Sequence, residues 1–131
     1  MRAIDIMTPN PVTLDARQRI GHAIEIMQEH DIRHAPVLRD GALIGMLSDR
    51  DLRALWRPGS DLGGGGRTYD RVVEDFMSTD PYAIDAEAEL DDVIDHFLDT
   101  RFGAFPVKDA DGALVGILSV IDVLKAASGR L

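Results

Sequence analysis

The stretch GMLSDRDL at residues 45–52 is written again as GILSVIDV at residues 116–123. Gly, Leu, Ser and Asp keep their places, while the pair between Ser and Asp changes from Asp49-Arg50 to Val120-Ile121. Working outward, MTPNPVTLDA from Met7 lies over MSTDPYAIDA from Met77, and Pro36-Val37 over Pro106-Val107, at an offset of 70. One additional residue before Gly112 shifts the register, after which residues 41–52 lie over residues 112–123. With Arg39 and Asp40 left out, fourteen of the forty-six aligned positions between Met7 and Ala54 are identical. Order of this kind marks an internal repeat, in which each copy is one supersecondary unit that buries its apolar face against the other.

Within a copy the pattern reads strand, helix, strand, strand, helix. Val12 to Leu14 is a short extended run, and Asp15 is placed to N-cap a helix with Ile20, Ala23, Ile24 and Met27 on one face. Asp85 stands in the same relation to Leu90, Val93, Ile94, Phe97 and Leu98. HAPVLRDGALIGML reads as a hairpin with apolar strands on either side of an Asp-Gly turn, and FPVKDADGALVGIL repeats it with a longer loop. Ser48 and Ser119 each open a final helix. Pro58-Gly59 ends the first of these, and the glycines of GSDLGGGGRTYD form a linker. A P-loop would need Gly-Lys-Ser/Thr after a strand, whereas Gly66 is followed by Arg67-Thr68-Tyr69. The expectation is an α/β protein of two tandem β-α-β-β-α units, residues 1–57 and 71–131, joined by a Gly-rich linker at 58–70.

Composition narrows the function. The 131 residues are 45% apolar, enough for one compact domain or two small ones. A formal charge of −9 repels phosphate backbones and anionic membranes, so broad nucleic-acid binding is disfavoured, although a local basic cleft can still hold a small anion. No apolar run approaches the roughly 20 residues that span a bilayer, and the N-terminus lacks a signal pattern. With no Cys there is no disulfide framework, thiolate metal site or Cys nucleophile, which fits a reducing compartment and a cytoplasmic protein.

Ser48-x-x-Asp51 and Ser119-x-x-Asp122 have two readings. As capping boxes, the Ser hydroxyl accepts an N–H of the first turn and the acid reaches back, with Leu47 and Leu52, or Leu118 and Val123, at the staple positions. As a ligand site, the helix N-terminus suits a phosphate, and an acceptor-only carboxylate one turn in suits a pair of sugar hydroxyls. Gly45 and Gly116 leave room either for strand packing or for a close-lying ligand.

Two tandem units of this order, each with Pro-Val opening its hairpin and each ending Gly-hydrophobic-Leu-Ser-x-x-Asp-hydrophobic, resemble cystathionine β-synthase (CBS) domains paired as a Bateman module. The resemblance covers Ile4 to about Ala127. It implies units packed with pseudo-two-fold symmetry and clefts between them for an adenine nucleotide, AMP, ADP or ATP. Carried onto this chain, it places Asp51 and Asp122 on ribose hydroxyls and Ser48 and Ser119 near ribose or phosphate. Adenine would lie between Val12-Thr13 or Tyr82-Ala83 and the backbone at His34-Ala35 or Ala104-Phe105. The implied role is a stand-alone regulatory module that signals to a partner protein in trans, as a homodimer, with Mg²⁺ accompanying a bound ATP. The alternatives are a structural or oligomerisation module with a vestigial cleft, a binder of NAD or S-adenosylmethionine, and an enzyme acting on a nucleotide.

Copy two departs from copy one where charge matters. Arg33-His34 becomes Gly103-Ala104, and Asp49-Arg50 becomes Val120-Ile121. Arg50, with Arg33 and His34 as further donors, is therefore read as the residue that selects phosphate in copy one. The other polar features read as structure. His22, His30, His34 and His96 form no close ligand pair, so no metal site is expected. The acids of DAEAELDDVIDHFLD fall on the polar side of an amphipathic helix, and Trp56 covers a helix end or an interface. No nucleophile, base or paired carboxylates stand in a catalytic arrangement.

Overall fold

The computed structural model describes residues 1–53, 70–100 and 102–129. Within them the two hairpins organise everything else. Strand β3 (His34–Arg39) pairs antiparallel with β4 (Ala42–Ser48), and β7 (Ala104–Lys108) with β8 (Leu114–Ser119). The first hairpin turns on Asp40 and Gly41, both in the left-handed region at φ +50° and +83°, as a two-residue loop between right-twisted strands requires. The second has a five-residue loop in which the Asp109 carboxylate accepts the N–H groups of Asp111 and Ala113, each at 2.9 Å.

Each hairpin gains a short parallel strand on one edge, β2 (Leu14–Asp15) beside β3 and β6 (Ile84–Asp85) beside β7. The other edge is taken by the leading segment of the opposite copy. Strand β1 (Thr8–Pro9) pairs with β8, and β5 (Ser78–Thr79) with β4. The sheet orders are therefore β2-β3-β4-β5 and β1-β8-β7-β6. The compact units follow this exchange. The copy-one unit is Val12–Pro81, and the copy-two unit is Met1–Pro11 with Tyr82–Leu131. The contiguous halves expected from the repeat differ because each leading segment completes a sheet that its own copy does not build. The chain leaves each edge strand at Asn10 and Asp80, φ +49° and +47°, residue types that tolerate the left-handed region. Of the linker expected at 58–70, only Asp70 is described, and Trp56 and Pro58-Gly59 lie outside the described residues.

Helix α1 (Ala3–Ile6) lies in the leading segment that completes the copy-two unit, and a 3₁₀ turn (Val73–Asp75) stands at the equivalent place in the copy-one unit. Helices α2 (Ile20–Glu29) and α4 (Leu90–Thr100) start later than a cap at Asp15 or Asp85 would allow. Those carboxylates instead accept the N–H two residues on, at Arg17 and Glu87, both 2.8 Å, which turns the chain off its strand. The helices' first amides are met by the leading segments: Ile20 N–H donates to Arg71 O at 2.7 Å and Leu90 N–H to Met1 O at 2.9 Å. Backbone does here what a capping side chain does elsewhere.

Each unit has its own core. Leu14, Ile20, Val37, Leu47 and Val73 are buried in copy one; Ile84, Val93, Phe97, Val107 and Leu118 in copy two, with Ala3 from the leading segment. Burying each larger side chain contributes about 1.5–3 kcal/mol. Helices α3, described over Asp49–Arg53, and α5 (Val120–Ala127) follow the hairpins directly. Among the described residues no helix is long and apolar enough to cross a membrane.

Candidate functional site

The end of each sheet is where the chain leaves β4 or β8 for its final helix. Strand register brings His34 opposite Ser48 and Ala104 opposite Ser119. The turn into the helix is held by Asp49 N–H donating to Arg33 O at 2.9 Å, and by Val120 N–H donating to Gly103 O at 3.0 Å. Because Leu14 pairs with Val37 in parallel, Val12-Thr13 runs in beside Ala35-Pro36; Ile84 with Val107 does the same for Tyr82-Ala83 and Phe105-Pro106. Each unit thus gathers its own set: Val12, Thr13, Arg33, His34, Ala35, Ser48, Arg50 and Asp51 in copy one, and Tyr82, Ala83, Ala104, Phe105, Ser119 and Asp122 in copy two.

The capping box forms in both copies. Asp51 Oδ2 accepts the Ser48 N–H at 2.9 Å and the Ser48 hydroxyl at 3.2 Å, and Ser48 Oγ accepts the Asp51 N–H at 3.3 Å. In copy two the same three bonds are 2.9, 3.0 and 3.2 Å. Asp therefore reaches the cap well, even though it is shorter than Glu. Its reach uses one oxygen. Oδ1 of Asp51 and of Asp122 accepts nothing from the described residues, and both carboxylates are half-buried. A second oxygen of this kind suits a ligand hydroxyl, since an ionised carboxylate only accepts. The Ser hydroxyls have less to offer, because each already donates to its Asp and accepts from it.

The glycines belong to the scaffold. A Cβ on Gly45 would lie 2.7 Å from Ser78 O and inside the Met77 side chain, and one on Gly116 would lie 2.9 Å from Thr8 O and against Met7. The room they leave is filled by the exchanged edge strands, and this decides between the two readings of those positions. It also explains why Met7 and Met77 repeat with them.

Charge separates the copies. Arg33 and Arg50 are exposed, and Asp49 is joined to Arg53 at 3.9 Å along α3. Burial holds the His34 imidazole below its ordinary range, opposed by the nearby carboxylates of Asp49 and Asp51 and helped by Arg33 and Arg50. It is thus neutral at pH 7, with one N–H to donate, and the cations of this end are the two arginines. Copy two has an aromatic group instead. The Tyr82 ring is 3.9 Å from the His96 ring, which lies 4.8 Å from Phe105. His96 Nε2 is buried without a hydrogen-bond partner among the described residues. From sequence His96 is a candidate only for a metal site, and its place against Tyr82 and Phe105 is not expected. The repeat carries the signal that was missed, since His96 aligns with Ile26, a position turned partly inward in copy one. Among the described residues no group of three or more His, Asp or Glu side chains is placed to hold a metal ion. Two depressions on the copy-one unit, about 620 and 300 Å³, are lined by other residues apart from Thr13 in the first and Asp49 in the second.

Comparison with known proteins gives one answer. The family model described as CBS domain matches residues 3–57 and 73–129. The chloroplastic CBS domain-containing protein CBSX2 of Arabidopsis thaliana is 31% identical over 147 aligned residues, which take in 94% of this chain and 62% of that protein, so the chain spans about three fifths of that relative's length. YhcV of Bacillus subtilis, also a CBS domain-containing protein, is 30% identical over 91% of this chain and 80% of its own. The crystal structure of CBSX2 in complex with AMP superposes with a TM-score of 0.82 at 33% identity, covering 98% of this chain and 96% of that one. The repeat, the exchanged sheet edges and these likenesses agree: the chain belongs to the CBS-domain family, as a tandem pair of CBS domains.

Proposed function

We propose that the chain is a cytoplasmic regulatory module that binds an adenine nucleotide (AMP, ADP or ATP) at these sheet ends and reports its occupancy, as a homodimer, to a protein it regulates in trans. The observation that carries this reading is the half-buried Asp51 carboxylate. One of its oxygens is spent on the cap, and the other accepts nothing from the described residues beside an exposed arginine. That pairing of acceptor and cation fits a ribose phosphate, with hydroxyls on Asp51 and phosphate on Arg50 and Arg33. The likeness to CBSX2, crystallised with AMP, supports the adenine class. A triphosphate would bring Mg²⁺ with it, since the described residues offer no acidic cluster of their own. A nucleotide changes the output only by binding the two signalling states with different affinity.

A second reading is favoured by the completeness of the caps: the repeated Ser and Asp then serve helix starts alone, and the chain is an assembly module. Calorimetric titration with AMP, ATP, NAD and S-adenosylmethionine separates the readings. Saturable binding of an adenine nucleotide supports the first. No heat with any of the four leaves the assembly module, and turnover of a bound ligand in a product assay indicates an enzyme.

A further inference from the structure

His34 is the one side chain gathered at the copy-one end whose charge changes near neutral pH. Strand register sets it at the start of β3, opposite Ser48, and the bond from Asp49 N–H to Arg33 O closes the same corner from α3. Four charges act on the ring. Arg33 precedes it in the chain, and Asp49, Arg50 and Asp51 act from the first turn of α3; Ser48 on β4 and Val12-Thr13 beside β2 bring none. Arg53, the next cation along α3, is paired with Asp49 at 3.9 Å. The two carboxylates are half-buried while Arg33 and Arg50 are exposed, so an anion arriving from solvent meets the arginines first.

Copy two is the internal control. On the same backbone, tethered in the same way by Val120 N–H to Gly103 O, it carries Gly103, Ala104, Val120 and Ile121 at the matching positions, and none of these is charged. The fold therefore requires neither the imidazole nor the charges beside it. A titrating group set among charges of both signs is suited instead to answer a change of charge nearby.

We infer that His34 couples nucleotide binding at the copy-one end to a proton: the ring is neutral in the free protein and takes up a proton when a phosphate settles on Arg33 and Arg50, so the module holds a phosphorylated nucleoside more tightly as the pH falls. The inference rests on the phosphate site of the proposed function and adds the proton to it. In the free protein burial opposes the imidazolium most, Arg33 and Arg50 oppose it further, and Asp49 and Asp51 favour it without prevailing. A phosphate on the two arginines cancels their repulsion and adds an attraction of its own, while the carboxylates keep theirs. The balance then tips toward the charged ring. Because such coupling is reciprocal, a phosphate that raises the proton affinity of His34 is itself bound more tightly by the protonated form. The gain is absent well above the histidine range, where the ring is neutral with or without ligand, and it grows as the pH falls into that range.

The test titrates AMP and adenosine into the wild type and His34→Gln by calorimetry between about pH 6 and about pH 8, in pairs of buffers that differ in ionisation enthalpy. Comparing two proteins on one ligand removes the titration of the phosphate itself. With AMP the wild type is expected to tighten by about threefold more than His34→Gln as the pH falls across that window, and to take up more protons on binding. With adenosine the two proteins are expected to share one pH dependence. Circular dichroism reports whether the variant folds, and His34→Ala, which gives the position the residue of copy two, takes its place if it does not. Equal pH dependence of wild type and variant with AMP overturns the coupling while the nucleotide site stands. The same follows if adenosine shows the difference too, or if the wild type tightens relative to the variant as the pH rises, as it would were the ring merely buried by the ligand. A wild type that binds neither AMP nor adenosine overturns the coupling and the site together.

Discussion

The two sheet ends have one backbone and two surfaces. In each, Ser and Asp close the same three hydrogen bonds with lengths differing by no more than 0.2 Å. Around that common cap, copy one sets Arg33, His34, Asp49 and Arg50 where copy two sets Gly103, Ala104, Val120 and Ile121. What the copies share is thus explained by folding, and what they do not share is free to serve ligand or partner. The difference teaches that the repeated motif does not by itself tell the two ends apart. In the reading proposed above, phosphate recognition belongs to the copy-one end.

The shared part is expected to give the largest effects, equal in the two copies. Gly45→Ala and Gly116→Ala push a methyl group into the backbone carbonyl of Ser78 or Thr8, and each should cost about 2–3 kcal/mol of stability, near the upper end of overpacking. Urea unfolding measures both. A cost in one copy only would break the symmetry of the scaffold on which the comparison depends.

Next comes the part that differs. Arg50→Ala should weaken ATP more than adenosine by about 1–2 kcal/mol at low salt, the usual scale of bonds to charged groups, and the gap should shrink as salt rises. Calorimetry at two salt concentrations decides it, and equal losses for both ligands would mean that Arg50 does not read phosphate.

The smallest effect concerns His34, whose place in copy two is taken by Ala104. Its folded pKa lies below the ordinary 6.5 because the ring is half-buried, so the unfolded chain binds its proton more readily than the folded one. The ring then costs nothing well above pH 6.5, and stability falls as pH drops through that value towards the lower folded one. His34→Ala should flatten the dependence of melting temperature on pH across that window. An unchanged slope would show that the proton uptake lies elsewhere.

Much of this was legible in the sequence, because the information is local. The hairpin turn at Asp40-Gly41, the helix faces and the Ser-Asp caps are set by residues a few positions apart. The gathering of Val12, His34 and Ser48 at one sheet end was legible to the same degree, since the strands that carry them are neighbours in the chain. Three features were not. The exchange of edge strands depends on pairing across some 30 to 110 residues, as in Thr8 with Ile117, and nothing near Met7 or Met77 announces it. The helices start later than caps at Asp15 and Asp85 imply, because their first amides are met by Arg71 and Met1 from those same distant segments. The contact of Tyr82 with His96 likewise joins a loop to a helix.

The claim that the copy-one end is the one that reads a phosphorylated ribose is tested most directly by titrating ATP into Asp51→Asn and Asp122→Asn beside the wild type. Asn still offers one oxygen to the Ser cap in each copy, so both variants should melt like the wild type, but it leaves no carboxylate oxygen over for a hydroxyl. Asp51→Asn should lose roughly ten- to hundredfold in ATP affinity, the cost of about 1.5–3 kcal/mol for a bond to a charged group, and Asp122→Asn should change it by less than about threefold. Equal losses in the two variants, or none in Asp51→Asn, would contradict the account.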